Sequence, residues 1–189
     1  MVSDVQGGRM FEVTGPVMTD AGMQVLWNPE GFASVVDDDS WEGSLLKDDD
    51  ILQHVLAGVL VPINLGDSAF QFVVRVGDSQ QAADLTTRER ARLVVASEPY
   101  LITSAGSLYL SGLEDVSAIP DEKALHVAAP AGRYAVTVNL IDWESEPDSR
   151  ALTGDPSPCA LPDFVLLLTA PTWPEPAFRH SLQTLPPPP

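Results

Sequence analysis

The chain has 189 residues, which suits one domain, and 44% of them are hydrophobic, which disfavours wholesale disorder. The formal net charge of −17 disfavours nucleic acid and an anionic membrane surface as direct partners, because both are bound through Lys and Arg, but permits a basic protein partner. The single cysteine, Cys159, excludes an internal disulfide, and we find no secretory signal and no apolar run of the ~20 residues that span a bilayer. These features predict a soluble, cytoplasmic protein.

The first 36 residues predict short strands between turns. Residues 10–14, 23–27 and 32–36 are strand candidates, and the intervening Gly15-Pro16 and Asn28-Pro29 pairs are typical of turns. The last candidate leads directly into the most acidic part of the chain.

Residues 37–50 carry seven acids against one base, Lys47, a local charge of −6. Because like charges at this density repel, we expect an exposed segment. Trp41 lies in its middle, and an aromatic side chain in an acidic loop is typical of a contact surface, although such a Trp more often anchors the loop to the core. The predicted partner-binding residues are Asp37, Asp38, Asp39, Trp41, Asp48, Asp49 and Asp50.

A short helix and a β-hairpin are predicted next. Asp50 is a candidate N-cap for a helix over residues 51–57. Residues 59–65 and 70–76 have the pattern of the two strands of a hairpin, and Pro62 favours an edge position or a bulge for the first of them. Alternation in the second strand predicts one face with Phe70, Phe72, Val74 and Val76 and an opposite face with Gln71, Val73 and Arg75.

Further strands are predicted in the middle of the chain. Residues 77–90 are polar and predict a long loop with a helical turn after Thr87. Residues 92–103 predict one long strand that Glu98-Pro99 would bend. Ser104-Ala105-Gly106 ends in Gly, which is typical of a three-residue hairpin turn, so that residues 107–111 would form the returning strand.

Residues 125–143 give the clearest strand signal. Val136 and Val138 alternate with polar residues, which is typical of a strand with one buried face. Gly132 and Tyr134 have the spacing of a tyrosine corner, in which the phenol bonds back to upstream backbone, so they are the predicted structural corner. Residues 164–170 are uniformly apolar and predict a strand that is buried on both faces.

These elements predict an all-β protein, an antiparallel β-sandwich of the jelly-roll or immunoglobulin-like type, with about 8 to 10 strands and one short helix. Residues 1–170 are the predicted sandwich domain. Residues 171–189 hold seven of the 17 prolines and are expected to form an extended or disordered tail.

No motif for catalysis or for a cofactor is recognisable. His54, His126 and His180 are scattered without the spacing of a zinc site, and the two Asp triplets do not match an EF-hand loop. The nucleophile elbow, the Walker A loop and the dinucleotide fingerprint are absent. The sequence therefore predicts no catalytic residue, no metal and no cofactor.

The order of elements over residues 92–170, about 80 of the 189, resembles small bacterial β-sandwich proteins of the competence protein J type, a nuclease inhibitor. The residues that carry the resemblance are the strand 93–97, the hairpin 101–110, Leu125-His126-Val127, the run 130–134 leading into 136–138, and the closing strand 164–169. The resemblance implies an acidic inhibitor or immunity protein that covers a basic enzyme surface, such as that of a nuclease or toxin. The N-terminal half, with its acidic segment, departs from that pattern.

Three functions are open at this point. The first is a non-catalytic acidic protein that binds a basic protein through the acidic segment. The second is a carbohydrate-binding module or hydrolase with a groove of carboxylates and tryptophan, drawn from Trp27, Trp41, Trp143 and Trp173. The third is a self-assembling structural protein.

Overall fold

A computed structural model describes residues 11–77, 82–151 and 153–186 of the chain. Within them the chain forms eight β-strands and three α-helices. The strands are β1 (Phe11–Thr19), β2 (Met23–Trp27), β3 (Leu60–Asn64), β4 (Ser68–Val76), β5 (Leu93–Ala96), β6 (Tyr100–Gly112), β7 (Leu125–Ile141) and β8 (Phe164–Thr169). The helices are α1 (Asp38–Leu45), α2 (Asp48–Leu56) and α3 (Thr87–Ala91). None of these helices is long and apolar enough to cross a membrane.

All eight strands of the described residues belong to one sheet, in the order β1-β4-β8-β7-β6-β2-β3, and β5 also pairs with β7. The β-rich fold is therefore confirmed. The all-antiparallel expectation is wrong in one place, because β4 and β8 run parallel, which the long connection between them permits. Two separately hydrogen-bonded sheets are not found among these strands, and three helices are present where one was expected.

Two short connections show that the sheet curls back on itself. Residues 20–22 join β1 to β2, and residues 65–67 join β3 to β4, although the joined strands lie towards opposite ends of the sheet order. Such a connection spans at most ~14 Å, so the two ends of the sheet lie close together. β1 accordingly contacts β7 without pairing with it, and a Cβ added at Gly15 would lie 3.1 Å from Leu125 Cδ1.

The predicted hairpin of residues 59–65 with 70–76 is wrong. β3 pairs with β2, whereas β4 pairs with β1 and β8. The connection between β3 and β4 is as short as a hairpin turn, but the two strands that it joins lie towards opposite ends of the sheet order. The alternation within β4 was interpreted correctly, because Phe72 and Val74 lie in the main core while Val73 lies in a second cluster.

The predicted turn at Ser104-Ala105-Gly106 is also wrong. β6 continues through these residues as a bulge and pairs with β7 on both sides of it. The Ser104 hydroxyl donates to the Ala129 carbonyl (2.7 Å) and accepts from the Gly106 N–H (3.0 Å), so the polar groups of the bulge are bonded within the sheet. The connection from β6 to β7 is instead the loop of residues 113–124.

The main core lies inside the curl of the sheet. The Trp27 indole N–H donates to the Ser111 hydroxyl at 3.0 Å, so this buried polar group also has a partner. A second apolar cluster, with Val73, Val165 and Leu85, contains residues of β4, β8 and the loop before α3. β8 is therefore buried on both faces, as its uniformly apolar sequence predicted. The largest fully buried side chains of the main core are Trp27, Tyr100, Phe32, Phe72 and Phe164.

The C-terminal segment covers the edge of the sheet at β3. Pro62 lies on this last strand of the order, as its missing N–H predicted. The fully buried Thr184 donates its hydroxyl to the Pro62 carbonyl (2.8 Å) and accepts from the Asn64 N–H (2.9 Å). The Arg179 guanidinium donates to the Tyr100 hydroxyl at 3.1 Å. The described residues after 170 contain no helix or strand, yet they hold this edge against open pairing.

Tyr134 bonds back to upstream backbone within β7. Its hydroxyl donates to the Pro130 carbonyl at 2.8 Å, and its ring is buried. Gly132 pairs with Ser104, so this contact lies beside the bulge of β6. The contact therefore braces the middle of one continuous strand rather than a junction between two elements.

A buried ion pair ties α3 to the sheet. Arg75 on β4 donates to both carboxylate oxygens of Glu89 (2.7 and 2.9 Å), and Glu12 accepts from the same guanidinium at 2.6 Å. Glu89 also closes the capping box of α3 by accepting from the Thr86 N–H at 2.7 Å. Burial raises the pKa of the Glu89 carboxyl, but the bonds from Arg75 and Thr86 outweigh burial and leave that pKa below the usual value.

We predict that Glu89→Gln lowers the free energy of unfolding by about 3–5 kcal/mol, because it leaves the buried Arg75 charge without its main counter-ion. Urea unfolding followed by circular dichroism measures this. The control is Glu144→Gln, whose pair with Arg150 is exposed on both sides, so that its loss should be below about 1 kcal/mol. Equal losses in the two variants would contradict the prediction.

The same pair predicts a pH dependence. Since the pKa of Glu89 is lower in the folded chain than in the unfolded one, its stabilisation is complete above about pH 4.3 and disappears as the pH falls through the folded pKa. Unfolding free energies measured from pH 6 down to pH 3 should therefore fall less steeply in Glu89→Gln than in the wild type.

Tyr134→Phe removes only the hydroxyl that bonds to Pro130. Because the ring remains packed, we expect a loss of about 0.5–1.5 kcal/mol in the free energy of unfolding. Urea unfolding measures this, with Tyr109→Phe as the control, since no protein partner accepts from the Tyr109 hydroxyl among the hydrogen bonds of the described residues. A Tyr134→Phe protein as stable as the wild type would show that the contact contributes nothing.

Candidate functional site

The acidic segment of residues 37–50 is mostly helical. It contains the whole of α1 and the first three residues of α2. Asp37 is the N-cap of α1: its carboxylate accepts from the Ser40 N–H at 2.9 Å, and the Ser40 hydroxyl accepts from the Asp37 N–H at 3.0 Å. Asp38 and Asp39 follow in the first turn, where negative charge is favoured by the helix dipole. The expectation of an irregular loop therefore missed a capping box in the sequence.

The predicted helix over residues 51–57 begins three residues earlier than expected, at Asp48, with Lys47 as its N-cap. Asp48, Asp49 and Asp50 occupy the first turn, so the second acidic triplet also marks a helix start. The helix ends at Leu56 and is followed, after the C-cap Ala57, by Gly58, whose φ of 68° is left-handed and whose carbonyl accepts from the Thr103 N–H at 2.8 Å. This bond ties α2 to β6.

The acids of residues 37–50 are not neutralised within the described part of the chain. Seven ion pairs are found there, and their acidic members are Glu12, Glu89, Glu146, Asp84, Glu175, Glu144 and Glu98. None comes from α1 or α2. Asp37, Asp38, Asp39, Glu42, Asp48 and Asp49 are exposed, and Asp50 is half-buried.

A groove of about 450 Å³ runs beside α1, and we call it the α1 groove. Its helical wall is formed by Asp38, Trp41, Glu42 and Leu46, which share one face of α1 and its C-cap at helical spacings of three and four residues. The facing wall is formed by residues 114, 116 and 117, just after the end of β6.

The structure divides the predicted partner-binding residues between two places. Asp37, Asp38 and Trp41 line the α1 groove. Asp39 lies in the first turn of α1 but does not line the groove, and Asp48, Asp49 and Asp50 lie at the start of α2. Sequence reasoning left out Glu42 and Leu46, which the helical period after the Asp37–Ser40 capping box would have placed beside Asp38.

Hydrogen bonds hold the two walls of the groove together. The Trp41 indole N–H donates to the Leu113 carbonyl at 3.1 Å, and the Ala118 N–H donates to the Val35 carbonyl at 2.7 Å. The Glu114 carboxylate accepts from the Thr19 hydroxyl and from the Asp20 N–H, both at 2.8 Å. The groove is therefore built before any partner arrives, and Trp41 serves as an anchor as well as a lining residue.

The four tryptophans do not meet in one platform. Trp27 is fully buried in the main core. Trp143 is half-buried, and its indole N–H donates a hydrogen bond to the Asp163 carboxylate at 2.8 Å. Trp173 is 92% exposed on the C-terminal segment. Only Trp41 lines the α1 groove.

Two carboxyl groups at the groove and beside it have pKa values shifted in opposite directions: burial, helped by the charge of Glu114, raises the pKa of Asp115, which lies in the chain between two residues of the facing wall. The hydrogen bonds from Ser40 lower the pKa of the Asp37 carboxyl, so that this group is charged at neutral pH. The described residues contain no group of three or more His, Cys, Asp or Glu side chains arranged to hold a metal ion. Cys159 is exposed on the loop between β7 and β8, outside the groove.

His54 joins the two helices. Its Nε2 lies 2.9 Å from the Ser44 hydroxyl of α1, and its ring centroid is 4.6 Å from that of Phe32. Burial lowers the pKa of the imidazole, and the bond to Ser44 and the charge of Asp50 oppose that shift without cancelling it. The packing of α1 on α2 therefore favours neutral His54.

Comparison with known proteins adds a fold but no family. No protein-family model matches the chain, and no curated protein matches its sequence. A solved structure described as "Crocagin biosynthetic gene J" is similar, with 17% identity and a TM-score of 0.56, over 87% of this chain and 99% of that one. ComJ, inhibitor of the DNA degrading activity of NucA, from Bacillus subtilis, is similar with 9% identity and a TM-score of 0.47, over 87% of this chain and 98% of ComJ. The weak resemblance noted from the sequence thus recurs between structures.

We predict that protonation of His54 destabilises the fold. Because the folded pKa of His54 is below its unfolded value, its contribution is complete above about pH 6.5 and is lost as the pH falls through the folded pKa. His54→Gln keeps a partner for Ser44 but does not titrate, so its unfolding free energy should fall less between pH 7 and pH 5. Urea unfolding at pH 8, where His54 is neutral in both states, is the reference. Equal slopes for the two proteins would refute the assignment.

Proposed function

We propose that this protein is a non-catalytic acidic binding protein of the cytoplasm that covers a basic surface of a protein partner. The observation that carries the proposal is the set of acids of residues 37–50, which lie on α1 and α2 without a single ion pair in the described structure. Unpaired like charges within each acidic triplet repel each other, and a basic partner removes that repulsion. The curled sheet, which we interpret as a two-layered β-sandwich, is the scaffold.

A nuclease or a toxin is the partner class to test first. An enzyme that binds DNA carries Lys and Arg on the surface that contacts phosphates, and an acidic protein bound there competes with the nucleic acid. The resemblance stated from the sequence implies the same inhibitor or immunity role. Under this proposal the protein inhibits by covering the substrate-binding surface and supplies no catalytic residue.

The second candidate is a carbohydrate-binding module or hydrolase that uses the α1 groove. The observation in its favour is the Trp41 ring beside the carboxylates of Asp38 and Glu42. Glycoside hydrolysis needs a carboxylic acid whose pKa is raised; the pKa of Asp37 in this groove is lowered, and Asp115, whose pKa burial raises, does not line the groove. Binding of a soluble oligosaccharide that shifts Trp41 fluorescence would favour this candidate over the first.

The proposed function predicts salt-sensitive capture of a basic protein. The immobilised full chain is incubated with extract of its own cells in ~50 mM and ~500 mM salt, between which the Debye length shortens from roughly 14 to 4 Å. We expect retention of a protein of high isoelectric point at low salt and its loss at high salt. The retained protein is identified by mass spectrometry, purified and titrated by calorimetry.

Two variants test where that protein binds. Replacing Asp37, Asp38, Asp39, Asp48, Asp49 and Asp50 by Asn should weaken binding at least tenfold, and Asn at position 37 still caps α1. The control replaces Asp148 and Asp155, two exposed acids on the loop between β7 and β8, by Asn. Retention of no protein at either salt, or equal affinity for the six-fold variant and the control, would count against the proposal.

A further inference from the structure

We infer that the α1 groove receives an apolar side chain of the partner, from a segment that carries Lys or Arg on both sides of that side chain. This inference rests on the proposed function and names the chemistry that the partner presents. It concerns the groove, whereas the proposed function concerns the acidic surface as a whole.

The floor and rim of the groove are apolar. Val35 and Val116 are buried beneath it, with 2% and 1% of their surfaces exposed. Above them Val36 and Leu46 are 72% and 59% exposed, so apolar surface continues from the core out to solvent. Apolar surface that is contiguous and rimmed by charge marks a binding site, unlike single exposed apolar residues. A volume of about 450 Å³ is within the ~300–1,000 Å³ typical of binding pockets, which leaves room for a large side chain.

Acids stand on both walls of this apolar groove. Asp38 and Glu42 are four residues apart on the same face of α1, an arrangement that destabilises a helix when both residues carry the same charge. The helix dipole offsets the charge of Asp38 in the first turn, but Glu42 lies one turn further along, where that effect has faded. Glu114 holds a third carboxylate on the facing wall. Basic residues on either side of the inserted side chain would face these two walls.

The groove needs no rearrangement to bind. The bonds from Trp41 to the Leu113 carbonyl and from Ala118 to the Val35 carbonyl already join its walls. A preformed site loses little conformational entropy when the partner docks, so the inserted side chain contributes more of its burial to affinity.

Two peptides of equal charge test the inference directly. The probes are GKRLRKG and GKRSRKG, titrated into the ¹⁵N-labelled full chain at ~50 mM salt, with amide chemical shifts as the readout. We expect the Leu peptide to bind about tenfold more tightly than the Ser peptide, because only Leu has an apolar side chain to bury. Its largest shifts should fall on the amides of Trp41, Glu42 and Val116.

Matched variants separate the apolar and the charged contributions. The double variant Val36→Asn, Leu46→Asn should bind the Leu peptide no more tightly than the Ser peptide. The control Val94→Asn, at a 58% exposed site on β5, should still bind the Leu peptide more tightly. Asp38→Asn with Glu42→Gln should weaken both peptides, and the control variant at Asp148 and Asp155 should weaken neither. The exposed positions leave the core unchanged, and circular dichroism checks that each variant is folded.

The outcomes distinguish this inference from the proposed function. Equal affinity for the two peptides, or shifts that avoid the groove, would overturn the inference even if a basic protein is captured through the six aspartates. Capture of no basic protein would remove the proposed function whatever the peptides do. Tighter binding of the Leu peptide that depends on Val36 and Leu46 supports the inference.

Discussion

The ladder between β6 and β7 is the constraint on which the rest of the molecule depends. β7 pairs with β5, β6 and β8, so both arms of the curled sheet are attached to it: β8 leads to β4 and β1, and β6 leads to β2 and β3. The bulge at Ser104 lets the ladder continue where the local sequence is typical of a turn. Beyond Leu110 the last two residues of β6 pair with β2 instead, and the facing wall of the α1 groove begins directly after Gly112, where β6 ends.

The acids of α1 and α2 have a structural reason as well as a functional one. Asp37 caps α1, and the other aspartates of both triplets lie in first turns, where the helix dipole favours them. That explanation does not extend to Glu42, which lies past the first turn and shares a face with Asp38. It also does not require that none of the α1 and α2 acids forms an ion pair within the described residues. Helix formation therefore leaves the charge of Glu42 unexplained, and Glu42 lines the α1 groove.

Local patterns in the sequence predicted individual strands well and their partners poorly. The alternation of β4, the edge position of Pro62 and the doubly buried β8 were correct, because each follows from the burial or hydrogen bonding of single residues. The pairing of β3 with β4 was wrong, because a three-residue connection fits a hairpin and a crossing between sheet ends equally well. The helix α1 was missed because the density of charge was given more weight than the capping box at Asp37 and Ser40.

By itself, the sequence determined the β-rich fold, the strong negative charge and the apolar faces of the strands, since these depend on composition and on a two-residue period. Only the tertiary structure decided which strands pair, because the curl of the sheet brings together residues that are far apart in the chain. It also decided that Trp41, Glu42 and Leu46 face Glu114 and Val116 across a groove. A site made of one helix face and a loop some 70 residues later has no signature in local sequence, because its geometry is set by packing between the two.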